Sequence, residues 1–175
     1  MDSSLLAIGL AVGLVIAAVT DVKLGRIPNW LTFSLAGFGM TVHTILEGWA
    51  GFFFSVEGLG FGIGCLLLFY IMGGMGAGDV KFLGSIGAVV GSPAVLHVFL
   101  ITALLGGFYA LAMMIHLGGG RYAWNRVAGF FTTMVLTKSV PKTDRSGGGE
   151  PKLRYALVIG LGTILAQTWE WYGRW

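Results

Sequence analysis

The chain has 175 residues, of which 55% are hydrophobic and 11% charged, with a formal net charge of +3. Soluble domains carry roughly 25% charged residues, so a mean hydropathy of +0.82 excludes a water-soluble globular protein and predicts an all-α polytopic membrane protein. The single cysteine, Cys65, excludes an intrachain disulfide framework and a multi-cysteine zinc site. The basic balance does not mark a nucleic-acid binder here, because in a membrane chain the position of the charges matters more than their sum.

Residues 4–20 carry no charge, which is close to the minimum length for crossing a bilayer core. Asp2 precedes this run and Lys23 and Arg26 follow it. That is the reverse of a signal peptide's charge order, so the segment is expected to be a retained first helix with its N-terminus outside. A polar connection follows at 21–29. Pro28 biases Ile27 away from helical angles, and Asn29 is the expected N-cap of a second helix at 30–46. Residues 47–57 read as a loop with an interfacial apolar patch, Phe52-Phe53-Phe54.

A third helix is expected at 58–72. Within it Gly58, Gly60, Gly62 and Gly64 form two overlapping G-x-x-x-G pairs, the pattern that lets helix backbones approach closely in lipid. The polar stretch ending in Gly76-Ala77-Gly78-Asp79 leads into a fourth helix at 80–90. Gly91-Ser92-Pro93 breaks the chain before a fifth at 93–115. The fourth is short, which places Asp79 below the headgroups at the floor of a water-filled cavity. Residues 121–137 separate polar from apolar side chains at helical spacing and read as an interfacial helix on the cytoplasmic surface. Residues 138–152, with Gly147-Gly148-Gly149, read as a flexible loop. A sixth helix at 154–168 ends in the aromatic cluster Trp169, Trp171, Tyr172 and Trp175, suited to an interface.

Six crossings with both termini outside put every basic residue except Arg174 on the inner side, as the positive-inside rule requires. The whole chain is then one membrane-embedded domain, and Asp21 and Asp79 share the cytoplasmic side. Two carboxylates at one end of a helix bundle suit hydrolysis, one activating water while the other donates a proton to the carbonyl oxygen. Helix dipoles divide the roles: Asp79 at a helix N-terminus carries the negative charge, and Asp21 at a C-terminus holds the shared proton. Gly76 and Gly78 leave room and conformational freedom for a substrate strand to approach. Two other readings stand beside this one. The acids cap helices or pair with Lys23 and Lys81, or they form a proton or cation relay in a small transporter or channel subunit. His43, His97 and His116 lack metal-ligand spacing and read as packed or interfacial residues.

Asp21-x4-Arg26-Ile27-Pro28-Asn29 followed by Gly76-x-Gly78-Asp79-x-Lys81 resembles the prepilin peptidase family of intramembrane G-x-G-D aspartyl proteases. The resemblance implies removal of the basic leader from type IV pilin-like precursors at the cytoplasmic face of the inner membrane. Asp21 and Asp79 would be the catalytic acids, and no metal or other cofactor is implied. Bifunctional members also N-methylate the product through an extra domain with paired C-x-x-C motifs. That domain is not seen here, so methyltransferase activity is expected to be absent or supplied by another protein. The compact form is most similar to the peptidases of tight-adherence (Flp) pili; archaeal preflagellin and secretion-system peptidases remain alternatives. Precursors of this family carry a glutamate just after the cleavage point, for which Lys23, Arg26 and Lys81 are candidate contacts. The competing role for these cations is binding anionic lipid. The residues carry no signal of oligomeric state.

Overall fold

The structure, a computed structural model, describes residues 2–71, 75–116 and 155–172. Among the described residues there are six helices and no strand: α1 (Asp2–Leu24), α2 (Asn29–Glu47), α3 (Trp49–Ile71), α4 (Ala77–Val90), α5 (Ser92–His116) and α6 (Tyr155–Tyr172). The expected interfacial helix at 121–137 and the loop at 138–152 lie outside the described residues.

α4 is the centre of the bundle. Val80 and every residue from Phe82 to Val89 are buried, with Phe82, Leu83, Ile86 and Ala88 at 0% exposure. A helix that is apolar all round must be covered on all sides, and α2, α3 and α5 pack along it while α1 and α6 also touch it. The approach of α3 is backbone to backbone. A Cβ placed on Gly58 would strike the Gly87 carbonyl, one on Gly87 would strike the Gly58 carbonyl, and one on Gly62 would crowd Leu83 and Gly84. Gly39 likewise brings α2 against the Ala88 carbonyl, where a Cβ would also clash. Gly60 and Gly64 meet nothing within 4 Å, so only one of the two overlapping glycine pairs is a packing motif in this bundle.

The expected loop at 47–57 is instead helix, and α3 begins at Trp49. One residue makes the turn. Gly48 takes φ 63°, closed to most L-residues, and its N–H closes α2 on Thr44 O at 2.9 Å. Glu57, the last residue of the expected loop, lies in the third turn of α3, and its Oε1 accepts from Ser92 Oγ at 2.8 Å at the head of α5. Gly91, at φ 85°, makes the equivalent single-residue turn from α4 to α5, against the Phe54 ring. His43 is packed, as its position suggested: Nε2 lies 3.0 Å from Val89 O and the ring 4.9 Å from Phe54.

α1 also runs further than residues 4–20. Nothing stops it before Gly25, whose N–H bonds Asp21 O at 2.9 Å, so Asp21 and Lys23 belong to the helix and not to the connection. Among the described residues, two spans are long and apolar enough to cross a membrane, Ser4–Leu24 and Trp49–Ile71. Only 28% and 22% of their most apolar windows are buried within the bundle, which is not how the core helix of a soluble protein sits. Ile8, Val15, Phe53 and Leu68 face outward, an apolar surface that water solvates poorly. The segments Ser92–Phe108 and Tyr155–Thr168 are apolar but shorter.

Candidate active site

Asp21 is placed by the periodicity of α1. Leu10, Leu14 and Ala17 are buried at spacings of four and three, and Asp21 continues that stripe at 7% exposure. A carboxyl group on the core-facing side of an apolar helix is costly, while Lys23 and Arg26 beyond it are exposed.

Asp79 is placed by the start of α4. Gly76 is the N-cap, the Asp79 N–H bonds Gly76 O at 3.1 Å, and the Gly76 N–H donates to Asp79 Oδ2 at 3.1 Å. A carboxylate in the first turn, accepting from a backbone N–H and facing the positive end of the helix dipole, is favoured in its charged form. The side chain is half-buried.

The two sequence motifs meet in space. Gly78 rests on Ile27, where a Cβ at Gly78 would lie 3.5 Å from Ile27 Cβ. One helical turn further on, Lys81 Nζ donates to Asn29 Oδ1 at 3.2 Å across 52 residues of sequence, and lies 5.7 Å from the Phe33 ring centroid. α1 and α4 are themselves in contact. Asp21 and Asp79 thus stand on elements joined at the same end of the bundle.

Two local expectations are corrected. Asn29 is the first residue of α2 and not its cap; Pro28 is the N-cap, with φ −67° and ψ 139° and no side-chain bond, and its carbonyl accepts from Leu31 N at 3.2 Å. The Asn29 amide is engaged by Lys81 instead. Gly76 and Gly78 do not need glycine's conformational freedom: Gly76 has an ordinary extended backbone at φ −79° and ψ 149°, and Gly78 is helical. What Gly76 supplies is space, since a Cβ there would come within 3.1 Å of Asp79 Oδ2.

Tyr155 was not picked out by the motifs. It opens α6, half-buried beside Ala156 and Ile159 in the core, and the Asp79 charge acts on its phenol. No spacing pattern connects a tyrosine to an acid 76 residues earlier (155 − 79); only the packing of α6 on α1 and α4 brings them into range.

A family model for type IV leader peptidases matches residues 8–111, more than half of the chain and both acidic motifs. The chain belongs to the type IV leader peptidase family. No curated protein and no solved structure matches it. Family membership implies a peptidase with a pilin-like precursor as substrate. It also gives the Gly76 contact a measurable consequence in a leader peptidase. Gly76→Ala presses a methyl group on the Asp79 carboxylate and is expected to slow cleavage about tenfold, the scale of a small misplacement of a reacting group. Gly78→Ala makes only an ordinary contact with Ile27 and is expected to lose less. Initial rates of the two variants on one precursor compare them; a larger loss at Gly78 would show that its lack of a side chain serves the substrate.

Proposed function

We propose that this chain is an intramembrane aspartyl endopeptidase that removes the leader from type IV pilin-like precursors, Flp-type in particular, at the cytoplasmic face of the inner membrane. Asp21 and Asp79 form its catalytic pair. The observation that carries this reading is the meeting of the two motifs, Gly78 on Ile27 and Lys81 on Asn29, with one acid on the buried stripe of α1 and the other in the first turn of α4.

In this mechanism Asp79, charged and held by the Gly76 N–H, takes a proton from the attacking water. Asp21, in a buried setting that favours the neutral acid, donates to the oxygen of the scissile carbonyl. The protons belong to the pair, because like charges at one site do not ionise independently. As the tetrahedral intermediate collapses and its C–N bond breaks, the proton held by Asp79 passes to the leaving amine and one hydroxyl of the diol returns its proton to Asp21, which restores the pair.

The chain crosses the membrane six times with both termini outside. The distribution of basic residues supports this, as do the single-residue turns at Gly48 and Gly91, which join helices that pack against each other. α4, with 14 residues, spans about 21 Å against a hydrocarbon core of roughly 30 Å. Asp79 therefore sits below the headgroups. Lys23 and Arg26 are exposed beside the site, open to a precursor's acidic residue or to anionic lipid. The sequence holds one cysteine, Cys65, and so no paired C-x-x-C set for methylation; the product of this enzyme leaves it with an unmethylated amino terminus.

The test is the purified full chain in detergent with an Flp-type precursor, read by mass spectrometry. The expected result is loss of the leader and an unmodified product terminus with the wild type, and an intact precursor with Asp79→Ala. Ion flux in liposomes without any cleavage would select the relay instead.

A further inference from the structure

Lys81 has contacts that a substrate-binding cation on an open surface would not need. Its Nζ is shared between two groups of α2: the Asn29 side-chain oxygen at 3.2 Å and the face of Phe33, 5.7 Å to the centroid. The second distance is within the range in which an aromatic face attracts a cation. Asn29 has no capping bond to make, since Pro28 holds the cap position. Its amide oxygen is therefore available to the ammonium, one turn of α4 beyond the point where Gly78 rests on the buried Ile27.

Two contacts one helical turn apart do what a single contact cannot. Gly78 on Ile27 fixes how closely the start of α4 approaches the α1–α2 connection, but the buried stretch that holds the helix in rotation begins only at Val80, after Asp79. A second point at Lys81, on the same side of the helix, extends that hold to the first turn. Asp79 lies between the two points, and rotation of α4 would swing its carboxylate relative to Asp21.

We propose that Lys81 is a positioning residue: by gripping Asn29 and Phe33 it fixes the rotation of α4 at the Asp79 turn relative to the end of α1 that carries Asp21. This rests on the peptidase reading for its consequence but not for its geometry. It also removes Lys81 from the candidate contacts for a precursor's acidic residue, leaving Lys23 and Arg26.

The geometry is tested without activity in the full chain carrying Cys65→Ser, Ile27→Cys and Gly78→Cys. A Cβ separation of 3.5 Å falls at the short end of the disulfide range. The pair is expected to cross-link rapidly under mild oxidation when Lys81 is present, severalfold more slowly with Lys81→Met, and near the original rate with Lys81→Arg, which keeps a donor and a cation for the ring. A pair that fails to cross-link with Lys81 in place, or cross-links equally fast in Lys81→Met, overturns the proposal.

The consequence is tested by kinetics with Ile27, Cys65 and Gly78 all restored. Lys81→Met is expected to lower kcat about tenfold with KM unchanged, as misorientation of a reacting group does. Lys81→Met combined with Asn29→Ala should be no worse than Lys81→Met alone, because both remove one contact. Losses that add, or a loss confined to KM that disappears when the precursor's acidic residue is neutralised, overturn positioning in favour of substrate contact. If the wild type cleaves no precursor, the peptidase reading falls, while the cross-linking rates still decide whether Lys81 grips α2.

Discussion

Asp21→Asn and Asp79→Asn are each expected to abolish leader removal, by about 10³-fold or more in single-turnover rate, the scale of a lost general acid or base. Asparagine keeps the size of the side chain and an oxygen that can still accept from the Gly76 N–H at position 79. It cannot take a proton from water or give one up as an acid does. The two acids act as a unit, so the double variant should be no slower than either single one. Stability should move the other way from activity. At 7% exposure, Asp21 is accommodated only while it keeps a proton, and an amide is neutral without one. Thermal unfolding in detergent should therefore be unchanged or slightly higher for Asp21→Asn. Full activity in both single variants would end the two-acid mechanism; loss of activity together with loss of fold would trace the effect to structure instead.

The glycines of α3 and α4 give the second large effect, with a change of sign inside one helix. Gly87→Ala and Gly58→Ala each drive a methyl group into a facing backbone carbonyl, and backbone cannot step aside as a side chain does. The expected loss is about 1–3 kcal/mol, as for overpacking elsewhere, enough to lower the melting temperature clearly and to loosen α3 from α4. Gly60→Ala and Gly64→Ala meet open space and should gain up to about 1 kcal/mol from the better helix propensity of alanine. Thermal unfolding of the four variants in one detergent checks this. If all four shift in the same direction, the packing face of α3 is wrongly assigned.

The differences from the sequence reading have a common physical origin. Glu57 looked like the edge of a polar loop because a charge in an apolar run is costly, but on the folded chain it bonds Ser92 at the head of α5, and the helix passes straight through it. Asn29 looked like a cap because its residue type favours that position, yet its side chain is taken by Lys81 from 52 residues away. Gly76 was expected to supply both room and conformational freedom beside Asp79, and it supplies room alone. In each case the sequence states what a side chain is able to do, and the partner it does it with is chosen by packing.

What the sequence alone determined was whatever depends on local order along the chain. The apolar runs and their breaks at Gly25 to Pro28 and Gly91 set where helices form. The buried spacing from Leu10 to Asp21 follows from 3.6 residues per turn, and the two motifs identify the family by their residue types. Tertiary structure decided what depends on which helices touch. It put Gly58 and Gly62, not Gly60 and Gly64, against α4, and it set Gly78 on Ile27. It also brought Tyr155 within range of Asp79. A helix repeats its faces but does not state which face meets which neighbour, and that choice is made only when the other helices compete to cover α4.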